Sequence, residues 1–501
     1  MNKQVNTARV IHAAKWSSLT EIAAKIIMPI TNMYLARILA PEAFGVIATV
    51  TMIFSFADMF TSAGFEKYLV QYEFKDDKEK YQCANVAFWS NLGLSCALWG
   101  VIALFSNQIA GFVGNPGLGN VITVACMQLP LTSFSSIQTA LYERNFSFKT
   151  LFAARIVTVS APFAVTLPLA LSGFGYWSLI YGTIVSQLCN AVILTACSKW
   201  KPKWYYSIQV LKKMLSFSIW TLAEHISIWF SIWADIFIVG GAFTAYYLGL
   251  YKTSLSMVNA LLAVVTAAIT PVLYSALSRF QTDDGAFKNI FYKAQKSAAY
   301  VLFPLGLGLF IYSDLATYIM LGDQWGEASF IIGIWGITTV IKIVLSDLNS
   351  ECFRAKGRPK LSLLIQAIHL AFLIVALMIA LGFGFEALVY VRAFIRFELV
   401  LSSLIAMEAV LHIPVKAMFR HIIKPAVFTA VAGLVALGFR QVSNHLVWNI
   451  ISMLLCLLVY CILVRIFAKD DIRPILKGFA GTRKLGGIFR QNAIKAQNKQ
   501  L

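Results

Sequence analysis

Apolar residues run along this chain in long blocks with short polar breaks between them. Roughly 20 apolar residues of α-helix cross a bilayer core of about 30 Å. Fourteen blocks are near that scale: 14–38, 43–65, 84–105, 120–141, 151–172, 176–198, 214–241, 246–276, 297–320, 328–350, 361–383, 386–411, 425–440 and 446–467. The pattern predicts an all-α polytopic membrane protein of about 14 transmembrane helices.

The pattern also repeats. Trp16 maps onto Trp220, Ser17 onto Thr221, Glu21 onto His225, Leu35-Ala36 onto Val239-Gly240, and Phe44-Gly45-Val46 onto Leu248-Gly249-Leu250, all at an offset of 204. Gly114 finds Gly322 at 208 and Gln138 finds Asn349 at 211, an ordered drift that small loop insertions produce. Repeats of this kind build transporters, with a site between the halves near the midplane. The expected organisation is two pseudo-symmetric six-helix bundles, at 1–198 and 214–411. A basic cytoplasmic linker joins them at 199–213, two extra helices follow at 412–467, and a basic cytoplasmic tail occupies 468–501.

Composition agrees: 59% of the 501 residues are hydrophobic and only 13% are charged, which excludes an ordinary soluble protein. A net charge of +19 would suit nucleic acid. Most Lys and Arg, however, fall in the N-terminal segment, the even-to-odd connections and the tail, with only Arg37 and Arg440 flanking the opposite side. That asymmetry is the positive-inside pattern and places both termini in the cytoplasm. The linker KWKPKWYYSIQVLKK reads as lying on the lipid surface, its aromatic rings at headgroup level. The eight cysteines lie in or beside apolar spans, with no metal-site spacing, and read as packed thiols.

Motifs for covalent chemistry are absent. There is no G-x-x-x-x-G-K-[ST], H-E-x-x-H or G-x-S-x-G, and the acidic pairs Asp76-Asp77, Asp283-Asp284 and Asp470-Asp471 sit in Lys-rich inner connections. No cofactor or metal is expected. The informative residues are ionisable groups inside spans, which are costly in hydrocarbon and so face a partner helix or a wet cavity. The candidate substrate-binding cations are Lys25, Arg37, Arg155, Lys252, Lys342, Arg392 and Arg396, and the candidate coupling or gating groups are Glu21, Asp58, Glu224, His225, Asp235 and Asp347. Glu21 and Lys25 share a helix face by their spacing of four, as do Arg392 and Arg396. A guanidinium suits phosphate because its donors form a planar fork and it stays charged. Each such charge can equally be an intramembrane ion pair.

The run YLARILAPEAFGVIATV, the segment GFEKYLVQ and the outer turn LGDQW at 321–325 resemble the bacterial polysaccharide-export flippases, in the Wzx-like lipopolysaccharide and exopolysaccharide branch of the multidrug/oligosaccharidyl-lipid/polysaccharide exporter superfamily. The resemblance implies a non-enzymatic carrier in the bacterial inner membrane. It would move undecaprenyl-pyrophosphate-linked oligosaccharide by alternating access, with membrane lipids, a polysaccharide polymerase and chain-length machinery as partners and no nucleic acid. It carries no catalytic motif to this chain. The rivals are an ion-coupled multidrug or organic-cation antiporter, a membrane polymerase or ligase, and a structural envelope protein. The short outer turns argue against the enzyme.

Overall fold

The computed structural model describes residues 7–62, 65–443 and 445–469, and every regular element among them is helical. The first half holds α1 (Thr7–Ile38), α2 (Pro41–Ser62), α3 (Phe65–Gln71), α4 (Asp77–Leu104), α5 (Ser106–Phe112), α6 (Gly119–Cys126), α7 (Gln128–Arg144), α8 (Phe148–Ala164), α9 (Thr166–Leu171) and α10 (Tyr176–Cys197). After the linker come α11 (Ile208–Ala242), α12 (Ala245–Arg279), α13 (Asp284–Ile311), α14 (Ser313–Met320), α15 (Ala328–Lys342), α16 (Leu348–Ala355), α17 (Pro359–Ala380), α18 (Phe385–Phe394) and α19 (Arg396–Leu411). The chain finishes with α20 (Val415–Arg440) and α21 (Leu446–Phe467).

Twelve helical spans among the described residues are long and apolar enough to cross a membrane, two fewer than the sequence pattern suggests. Helix is present at both remaining places. One is α1, many of whose side chains lie outside the described residues; the other is the pair α18 and α19, interrupted at Ile395 into pieces of 10 and 16 residues.

The repeat is visible in the element ends. α1 ends at Ile38 and α11 at Ala242 (242 − 38 = 204), and α2 starts at Pro41 and α12 at Ala245 (245 − 41 = 204). Equivalent positions meet reciprocally: a Cβ on Gly45 would lie 1.8 Å from the Ala245 carbonyl oxygen, and one on Gly249 would lie 1.9 Å from that of Pro41. Small residues let membrane helices approach to main-chain contact.

The chain forms two compact units. The first comprises Met1–Ala260, Thr317–Ile331 and Leu370–Arg392, and the second Leu261–Ala316, Ile332–His369 and Ala393–Leu501. Within the first, one cluster gathers Phe65, Tyr68, Phe88, Ile137, Trp200 and Met214, and another Val46, Val50, Ile122, Leu129 and Ile180. Polar groups bind α4 to α7: Asn91 donates to Ser136 at 3.0 Å, and Ser95 and Ser133 hydroxyls lie 3.0 Å apart. Such interhelical hydrogen bonds replace the hydrophobic drive that lipid removes. The linker is docked rather than simply laid on lipid: Trp200 is buried, Gln138 donates to its carbonyl at 3.3 Å, and Trp204 stacks on Trp89 at 4.2 Å. In the second unit Tyr300, Ala432, Tyr460 and Val464 pack together, and the Tyr460 hydroxyl donates to the Tyr300 carbonyl at 2.8 Å. All eight cysteines are free.

Candidate functional site

Lys25 and Arg155 stand on neighbouring helices of the first unit. α1 and α8 run side by side, with Trp16 against Phe152 at 5.0 Å and Tyr34 against Phe163 at 6.3 Å. Both cations are exposed, and neither forms an ion pair or hydrogen bond with another described residue. A charge facing acyl chains at a helix centre costs about 2.5–3.5 kcal/mol on insertion scales. The Glu21 side chain, and with it the expected Glu21–Lys25 pairing, lies outside what the structure describes.

At Asp235 in the same unit a buried carboxylate meets a guanidinium. The Arg392 Nε of α18 donates to Asp235 Oδ2 of α11 at 3.0 Å, and the Tyr251 hydroxyl of α12 donates to the same oxygen at 3.0 Å. The other Asp235 oxygen accepts from the Ile236 amide at 2.9 Å. Lys252 lies 4.5 Å over the Trp233 ring, close enough to act on the Asp235 charge. Three helices are thus tied by one buried carboxylate. The position of Arg392 differs from the sequence expectation: it and Arg396 do not make a common pair of forks but turn to different partners on either side of the interruption at Ile395.

Arg396, in the second unit, is 4% exposed and donates to the Trp335 carbonyl at 3.3 Å and the Thr338 hydroxyl at 2.7 Å. Lys342 is paired with Asp347 at 2.9 Å. In an α-helix these two would point about 140° apart, but Ile343–Asp347 form a π-turn, which brings them together. Gln295 donates at 3.2 Å to the Val344 carbonyl inside that turn. A further pair had no signal in spacing: His369 Nδ1 of α17 lies 3.0 Å from Glu398 Oε2 of α19, whose other oxygen accepts from Ser402 at 2.8 Å.

Asp58 of α2 accepts from the Thr61 hydroxyl at 3.2 Å and lies near enough to His225 of α11 for their charges to interact. The Glu224 side chain lies outside what the structure describes. The short helix α3 that follows α2 holds Glu66, absent from the candidate set. Burial pushes its carboxyl up to about 8, and the Asp58 and Glu143 carboxylates push the same way. Arg144 does not relieve it, because its guanidinium donates to the carbonyls of Leu69, Val70 and Tyr72 at 2.9, 3.0 and 2.7 Å. Arg37, near the end of α1, is exposed and donates to the Ile319 carbonyl at 2.7 Å.

Residues 34–330 match the family model described as polysaccharide biosynthesis protein. Among curated relatives, the succinoglycan biosynthesis transport protein ExoT of Rhizobium meliloti is 23% identical over 338 residues, covering 68% of each chain. The teichuronic acid biosynthesis protein TuaB of Bacillus subtilis is 21% identical over 88% of this chain and 90% of its own. The lipopolysaccharide biosynthesis protein WzxC of Escherichia coli is 21% identical over 71% of each. Among solved structures, the lipid II flippase MurJ in an inward closed conformation superposes with a TM-score of 0.70 at 15% identity, over 91% of this chain and 99% of its own. An inward-facing multidrug resistance MATE transporter gives 0.59 at 11% identity, over 82% and 98%.

Proposed function

This chain belongs to the polysaccharide biosynthesis protein family, and we propose that it is a flippase. It moves an undecaprenyl-pyrophosphate-linked oligosaccharide repeat unit across the bacterial inner membrane by alternating access, for lipopolysaccharide or exopolysaccharide synthesis. Both termini are cytoplasmic, no covalent step is involved, and the polymerase and its chain-length machinery receive the product. The names of the relatives, all of surface-polysaccharide biosynthesis, support this reading. The observation that carries it is the pair Lys25 and Arg155, two cations on adjacent membrane helices with no ion pair or hydrogen bond to another described residue. They hold the pyrophosphate while the polyprenyl chain stays in lipid. An organic-cation antiporter would need the opposite polarity there.

The test replaces the genomic copy with K25Q, R155Q and the double variant, then measures surface polysaccharide and lipid-linked repeat unit retained inside. Losing one charge-assisted hydrogen bond to phosphate removes about tenfold of binding, so export falls by about that factor in each single variant and further in the double. Parental export from the double variant removes the pair from the mechanism.

A further inference from the structure

A helix end leaves its last carbonyls without intrahelical donors. At the outer end of α1 those carbonyls are taken by side chains from a turn 288 residues away in sequence. Gln324 Nε2 donates to the Ala36 carbonyl at 2.6 Å and to that of Leu39 at 2.9 Å, and Trp325 Nε1 donates to Ala36 at 2.7 Å. Arg37 reciprocates, donating to the Ile319 carbonyl near the end of α14. Trp325 is fully buried, its ring 5.3 Å from Phe44. Gly322, at φ +96°, sets the turn, and the space a Cβ would take is filled by the Arg37 stem at 3.2 Å. All of these residues belong to the first unit.

The equivalent turn of the first half is built differently. Gly114 keeps the left-handed backbone, at φ +76°, and packs on Gly240 and Gly241. At the offset of 208, however, Pro116 and Gly117 stand where Gln324 and Trp325 stand, and neither has a side-chain donor. The donors of Gln324 and Trp325 thus have no counterpart at those two positions of the other turn, whose Asn115 instead donates to Thr49 of α2 at 3.3 Å. Gln324 and Arg37 are exposed, so water can take over their donors when the contact opens.

We propose that Arg37, Gln324 and Trp325 form a releasable latch between the LGDQW turn and the end of α1, closed in this structure and broken once per transport cycle to let substrate leave on the outer side. Its transport role rests on the flippase reading, while its geometry does not.

Ala36, fully buried where Trp325 docks, reports on the latch. In right-side-out membrane vesicles, an A36C thiol is shielded from a membrane-impermeant maleimide while the latch holds. The parent chain, with its exposed Cys96, Cys197 and Cys461, sets the background. Q324E keeps the size of the side chain but turns a donor towards carbonyls into an acceptor, and it raises the A36C labelling rate by about tenfold. R37Q and W325F raise it less, since each removes one hydrogen bond, and W325F keeps an aromatic ring in the pocket. Thermal unfolding close to the parent shows that each variant is folded. Labelling at the A36C rate in all three overturns the latch. Faster labelling in a chain whose deletion leaves surface polysaccharide intact keeps the latch and removes the flippase reading instead.

Discussion

Asp235 is where the charge balance of the first unit can be broken with one atom. Its carboxylate is 4% exposed and holds Arg392 and Tyr251, so Asp235→Asn leaves a guanidinium with no counter-charge. Removing one member of a buried pair costs about 3–5 kcal/mol, and the expected outcome is a clear loss of thermal stability in nanodiscs. Adding Arg392→Gln to Asp235→Asn restores part of it; no recovery would mean the pair is not coupled. Glu66 gives a pH signature. Its folded carboxyl, up to about 8, binds a proton that the unfolded chain with an ordinary carboxyl near 4.5 releases. Between those values the folded state holds more protons, so this group's contribution to stability is present at low pH and lost as pH rises towards 8. Glu66→Gln should therefore flatten the fall in Tm from pH 5 to pH 8. At this scale the sequence was only partly legible. It marked Asp235, Lys342, Asp347, Arg392 and Arg396 as costly, but partners follow from tertiary placement. The Lys342–Asp347 pair needs a π-turn that spacing alone does not announce, and His369–Glu398 joins two helices.

The helix ends explain why the repeat could be read from one sequence. Offsets of 204 fix both the end of α1 against α11 and the start of α2 against α12, because the small residues at that turn must meet main chain. Gly45→Leu or Gly249→Leu puts carbon into backbone oxygen, so each should cost about 1–3 kcal/mol or more and lower the yield of folded protein, read by size-exclusion of detergent extracts. Gly93→Leu, where a Cβ meets nothing within 4 Å, should leave yield unchanged. The interruption at Ile395 was not legible. Its residues are ordinary helix formers, Phe394-Ile-Arg396, with no Pro or Gly to announce a break. The linker shows the same limit. Its aromatic and basic pattern suits a lipid surface, yet the burial of Trp200 is decided by α4 and α7.

For the whole molecule, hydropathy carried most of the information, since a bilayer forces the backbone into helices. The two cations expected on the opposite side from the rest have partners of their own. Arg37 and Arg440 each donate to a helix-end carbonyl, of Ile319 and Ile311, and Arg440 also pairs with Asp314. Orientation can be tested directly. A phosphatase that is active only outside the cytoplasm, fused after Gly117, should be active, and the same enzyme fused after Lys469 should be silent; a reversed result would invert the proposed topology. The reciprocal glycines bear on how such a molecule can move. Where α2 meets α12, main chain touches main chain, so a rolling motion there has no rotamer to reset and no side-chain bond to break. Under the proposed alternating-access cycle that crossing would serve as a bare pivot, and the friction to be overcome would reside in the polar grips mounted around it.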